Sequence, residues 1–160
     1  MARRIGRSVF LSWCHADRAA KDALVEPLLA NLRILNGVEV RWWEDSHVSI
    51  GEGWRRRILA RLSECDYGLL LLSPGFFASG FIADHELPAF VGPRAVKGAL
   101  PVGLKRVPLD GTRTLHGVDR NQIFTRGPAG RFFTETRGAG RERFALDLAT
   151  AIQKRILSDS

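Results

Sequence analysis

The segment SPGFFASGFIADHEL, Ser73 to Leu87, holds a carboxylate placed to do chemistry. Glu86 lies behind an aromatic loop and two residues before Pro88. Proline cannot donate a backbone N–H, so the helix around Glu86 is expected to be short or kinked, which turns a side chain toward a crevice. Asp84, two positions earlier, points elsewhere on any helix. The competing reading is a helix-end carboxylate on a solvated face, the usual place for a Glu. Trp13 is the second candidate. It follows an apolar run, where an aromatic plane can stack on a base or a pyridinium ring. For Trp54, and for one of Trp42 and Trp43, core packing is the simpler reading. Cys14-His15 invites a nucleophile–base reading, but adjacent side chains rarely converge and no third orienting group is visible. The four His and two Cys show no metal-ligand spacing. GAGRER at 138–143 lacks the preceding strand that a phosphate-binding glycine loop requires.

The elements that must position these residues alternate between strand and helix. SVFLSW (8–13) reads as the first strand. Asp17 is placed to cap a helix in which Ala20, Leu24, Leu28, Leu32 and Leu35 recur every three or four residues. Pro27 should kink that helix, and Asn36-Gly37 should end it. VEVRWW (38–43) is the second strand, and EDSHVSIGEG (44–53) is a polar loop. Trp54, Ile58 and Leu62 mark a short helix. CDYGLLLLS (65–73) is a near-continuous apolar run, the pattern of a parallel strand buried on both faces. ALPVGLKRV (99–107), weakened by Pro101, is a fourth strand, and QIFTR (122–126) a fifth. Phe144, Leu148, Ile152 and Ile156 give an amphipathic last helix. The expected fold is α/β and flavodoxin-like: a five-stranded parallel sheet in the order 2-1-3-4-5, flanked by helices on both faces. Its switch point lies between the first and third strands, outside their carboxyl ends. The segment with Glu86 begins there.

At 160 residues and 45% apolar, the chain suggests one domain with a real core and no need of a disulfide or metal staple. Two cysteines and no secretory signal point to a reduced, cytoplasmic setting. No stretch approaches the roughly 18–20 apolar residues of a membrane span. The net charge of +7 comes from scattered basic residues, Arg3, Arg4, Arg7, Arg55 to Arg57, Arg131, Arg137, Arg141 and Arg143 among them. No basic run is interleaved with aromatics as in a single-strand binder, so a solvated basic surface is expected and direct nucleic-acid binding is not.

The motifs resemble a family. VFLSW followed by His15-Ala16-Asp17 resembles the first box of TIR (Toll/interleukin-1 receptor) domains, commonly FISYSHKD-like. WEDSHVSIGEGWRRRI resembles the second box and its loop, with Asp45 on the box's Asp, Gly51 on the loop glycine, and Trp54 on the Trp opening the next helix in many bacterial members. CDYGLLLLSPGFFASGFIADHEL is similar to the third strand, the Ser-rich loop and the helix with the family's Glu. ALPVGLKRV resembles the fourth strand. The resemblance runs from about Ser8 to Val107 and more weakly to the last helix. It gives a TIR domain at 1–157, with 158–160 as the start of a linker.

The resemblance implies an NAD⁺ glycohydrolase or ADP-ribosyl cyclase, with NAD⁺ as substrate and no cofactor. Its members of this kind often serve bacterial anti-phage immunity. Glu86 takes the catalytic position. Trp13, Trp43, Asp45, Ser79 and Phe81 are the substrate-binding candidates. Trp13 is expected at the nicotinamide end of the substrate and outside the core. Val48, Ile50 and Gly51 form the loop through which neighbouring copies assemble. Other TIR domains, and a sensor in the same or a partner chain, are the implied partners, and assembly the implied switch. The alternative is a non-catalytic TIR–TIR interaction module. It is favoured by Ile82, which stands where many enzymatic members carry a Trp four residues before the Glu, and by Cys14 and His15 in the first box.

Overall fold

The computed structural model describes residues 3–44 and 52–160. Four parallel strands, β1 (Ile5–Ser12), β2 (Val38–Glu44), β3 (Tyr67–Leu72) and β4 (Gly98–Gly103), pair in the order β2-β1-β3-β4. Helix α1 (Arg18–Arg33) follows β1, α2 (Glu52–Glu64) follows β2, and α3 (Pro74–Ala78) follows β3. A π-helical turn (Ile82–Glu86) then runs into α4 (Leu87–Phe90), and α5 (Ala139–Ser158) closes the chain.

Strand alternation divides the core between two faces. Val9, Leu11, Trp13, Leu69 and Leu71 pack with Leu24 and Leu28 of α1 and with Phe144, Leu148, Ile152 and Ile156 of α5. Phe10, Leu70 and Leu72 pack on the other face with Ile58 and Leu62 of α2, Phe76 of α3 and Phe90 of α4. β3 is buried at every position, as its apolar run predicts. Gly68 brings α4 close: a Cβ there would stand 2.6 Å from the Phe90 ring.

The expected fifth strand is absent. Only Phe124 bridges to β4, through its N–H to Pro101 O at 2.8 Å and its carbonyl from Gly103 N at 2.9 Å. The next rung back would need the Pro101 N–H, which does not exist, and the Ala99 carbonyl, which accepts from Arg155 Nη1 at 3.2 Å. The next rung forward would need Arg126 N and Lys105 N. Arg126 N donates to Arg131 O and Lys105 N to Leu72 O. The ladder is blocked on both sides, so among the described residues the sheet has four strands and not five.

Pro27 lies inside α1. One smaller expectation changes. Asp17 precedes α1 but makes no side-chain cap bond. It is buried, accepts from Ser73 Oγ and pairs with Lys105 Nζ at 2.9 Å. That carboxylate ties the start of α1 to the ends of β3 and β4.

Candidate functional site

A cleft of about 290 Å³ opens at the carboxyl end of the sheet, beside β1 and β3. Its lining comes from Phe10, Leu11, Trp13 and Cys14 at the end of β1, from Ile58 of α2, and from Ser79, Phe81, Ile82 and Glu86 after β3. Open parallel sheets bind ligands at this place because neighbouring connections diverge to opposite faces there.

The local sequence explains how Glu86 reaches it. Ser73 accepts from Phe76 N at 2.9 Å and Pro74 occupies the first turn, so α3 starts directly at the strand end. Ser79 ends α3 and its Oγ accepts from Ile82 N at 3.3 Å, which starts the next turn. Leu87 N–H then bonds to Ile82 O, five residues back, and Pro88 has no N–H with which to continue. This one-residue widening turns Glu86 inward. Its side chain is buried at 7% exposure and its Oε1 accepts from Ser12 Oγ at 2.5 Å. Asp84 and His85, on the same turn, are exposed. A buried carboxylate is costly unless hydrogen-bonded, and the Ser12 hydroxyl supplies one such bond to Glu86.

The sequence reading missed Ser12. Its signal was the strand period: Phe10 and Ser12 share one face of β1, while Val9, Leu11 and Trp13 share the other. The same period corrects the expectation for Trp13. Its ring edges the cleft, but the residue is 5% exposed and belongs to the core beneath α1 and α5. Lys21 Nζ lies 4.5 Å from the ring centroid and Arg18 at 5.5 Å, so cations already cover the ring. Lys21 is itself buried and pairs with Asp22 at 2.6 Å and Glu44 at 2.9 Å. Burial lowers the Lys21 pKa, but the two carboxylates outweigh that and hold it above the ordinary lysine value.

Ser79 and Phe81 line the cleft, Phe81 tilted against His85 at 4.9 Å between ring centroids. Trp43 lies one layer behind: it stacks on Phe10 at 5.0 Å and does not itself line the cleft. Ile82 is a lining residue. Asp45, Val48, Ile50 and Gly51 lie outside the described residues. Among those described, no group of three or more His, Cys, Asp or Glu gathers to hold a metal ion. No described helix is long and apolar enough to cross a membrane.

The fold and the site define a small parallel α/β domain with one buried glutamate in a switch-point cleft. Residues 9–129 match the TIR domain family, and the chain belongs to it. It is 36% identical over 80 residues to an uncharacterized protein of Sinorhizobium fredii, covering 50% of this chain and 24% of that protein. It is 34% identical over 82 residues to a 2′ cyclic ADP-D-ribose synthase of Bacteroides thetaiotaomicron, covering 51% of this chain and 26% of that enzyme. The match thus spans about a quarter of each relative's length.

Proposed function

We propose that this domain is an NAD⁺ nucleosidase that breaks the N-glycosidic bond between nicotinamide and ribose, releasing nicotinamide with ADP-ribose or a cyclic isomer. The observation that carries the reading is Glu86, a buried carboxylate lining the cleft and held by Ser12. Nicotinamide leaves as a neutral base from a cationic ring, so no general acid is required. The transition state is oxocarbenium-like, as in other glycoside cleavages. A single fixed carboxylate can stabilise that developing charge and orient the ribose hydroxyls. The Bacteroides relative, whose name is that of a cyclic ADP-ribose synthase, supports the same bond cleavage.

A cleft of about 290 Å³ is at the small end for a ligand pocket and takes only one end of a dinucleotide. That size supports activation by assembly, with a neighbouring copy completing the site. In this reading the domain is a cytoplasmic effector of bacterial immunity coupled to a sensor. The alternative, an interaction module without catalysis, draws on Ile82 in the cleft lining. Incubating NAD⁺ with concentrated or artificially clustered protein, and identifying the products by mass, separates the two. Nicotinamide release that disappears in Glu86→Gln supports catalysis. No release at any concentration, with self-association retained, supports the module.

A further inference from the structure

A second concavity, about 580 Å³, lies beyond the end of β4 and shares no lining residue with the cleft. Arg106, Arg126, Arg131, Arg137, Glu135, Thr136 and Gly140 surround it. Three separate segments thus bring four arginines and one glutamate to the lining of one pocket.

That carboxylate is already engaged. Glu135 accepts from Arg106 through both oxygens, at 2.6 and 3.1 Å, and from Phe132 N at 2.7 Å. The Arg106 bonds, then the Phe132 N–H, hold its pKa below the ordinary glutamate value. Arg106 is further fixed by its bond to Gly130 O at 3.0 Å and by its place 4.3 Å over the Phe132 ring. Arg126 and Arg131 face one another across a short turn, each backbone N–H bonded to the other's carbonyl at 2.9 Å. Gly140 leaves room beside Arg126: a Cβ there would lie 3.6 Å from Nη1. Among the described residues, no carboxylate forms an ion pair with Arg126, Arg131 or Arg137. Arg106 takes up the Glu135 carboxylate and Arg131 also feels its charge, so four arginines against one glutamate leave the lining strongly positive. A concavity of that charge favours an anion.

We propose that this pocket binds a small ligand through two linked phosphate groups, at a site distinct from the Glu86 cleft. Planar guanidinium forks match phosphate oxygens in bidentate fashion. A single phosphomonoester carries about −1.5 to −2 at pH 7 and leaves positive charge over, whereas a diphosphate comes closer to balancing three arginines. The pocket's lining holds no aromatic side chain on which a base could stack, so recognition rests on the phosphates.

Titration calorimetry with inorganic pyrophosphate at physiological ionic strength tests this. The expected result is one-to-one binding, weaker for inorganic phosphate or sulfate by about tenfold or more. The Arg126→Gln/Arg131→Gln double variant should lose about tenfold or more, while Glu86→Gln and Arg33→Gln, away from the pocket, should bind as wild type. Circular dichroism checks the double variant's fold. Arg137→Gln, at an exposed lining position, repeats the test should the double variant unfold. Equal binding of phosphate, sulfate and pyrophosphate, or equal weakening by Arg33→Gln, overturns the proposal in favour of a general basic surface. Tighter, Arg126- and Arg131-dependent binding of single-stranded RNA at matched phosphate concentration overturns it in favour of a nucleic-acid contact.

Discussion

The two faces of the sheet each end in a buried serine–carboxylate pair, and the pairs differ in what surrounds them. On the α1 side, Ser73 donates to Asp17, which also holds Lys105, so the pair joins three elements. On the α2–α4 side, Ser12 donates to Glu86, which sits on a π-helical turn and lines the cleft. The first pair lies beneath a helix of 16 residues. The second rests among pieces of five, five and four residues, Pro74–Ala78, Ile82–Glu86 and Leu87–Phe90. Long helices supply burial and rigidity. Short, proline-interrupted ones let a carboxylate depart from the pattern a regular helix would impose. Variants on the first face should therefore cost stability, and variants on the second should cost rate.

Trp13 tests this division hardest, because it edges the cleft from the first face. Trp13→Ala should destabilise the domain by about 3–5 kcal/mol, as for other large aromatic truncations in a core. Denaturant unfolding measures it. A loss under about 1 kcal/mol would return Trp13 to a purely ligand-facing role. Glu86→Gln should leave the unfolding midpoint nearly unchanged and lower NAD⁺ cleavage by about 10²–10³-fold, the usual cost of a preorganised electrostatic partner. Wild-type turnover in the folded variant would end the assignment.

Asp17→Ala should cost about 1–3 kcal/mol of stability by leaving the Ser73 hydroxyl and Lys105 without their acceptor, with turnover per folded molecule retained. Ser12→Ala should do the reverse: about 0.5–1.5 kcal/mol expressed mainly as slower cleavage, because Glu86 loses its orienting donor. A rate loss from Asp17→Ala as large as that from Ser12→Ala would erase the distinction between the faces.

Alkaline pH offers the finest test. Burial pushes the Cys65 thiol, on the cleft side, up to about 11 from 9.0. Burial, then the bond to Asp159, pushes Tyr67, on the α5 side, up to about 12 from 10.0. Both raised values mean that the folded state holds its protons more tightly than the unfolded one. Their contribution is complete below pH 9, falls between 9 and 11 for Cys65, and falls between 10 and 12 for Tyr67. Chemical unfolding across that range should show declining stability, and Cys65→Ala should flatten the earlier part of the decline.

Assembly sharpens the second face further. A cleft sized for one end of a dinucleotide should give specific activity that rises more than linearly with concentration. A dilution series with size analysis alongside measures this, and a fully active monomer would contradict it.

The order of strands and helices was legible in the sequence because each element follows from contacts a few residues apart: the 3.6 period of α5, the apolar run of β3, the strand-to-helix step at Ser73-Pro74. Glu86 was legible as a candidate for the same reason, since Pro88 marks the irregular turn and the end of β3 marks the crevice. Strand period also sets Ser12 and Trp13 on opposite faces, but it does not say which face carries the cleft. Only the tertiary structure decided that, by packing α1 and α5 on one side and the short helices on the other. It also decided the pairings that span 74 and 56 positions, Ser12 with Glu86 and Asp17 with Ser73. QIFTR has the composition of a strand, yet Arg155, Pro101 and Arg131 leave only its Phe124 paired with β4. Local propensity proposes each element, whereas a ladder or a buried pair exists only where distant backbone and side-chain groups remain available to complete it.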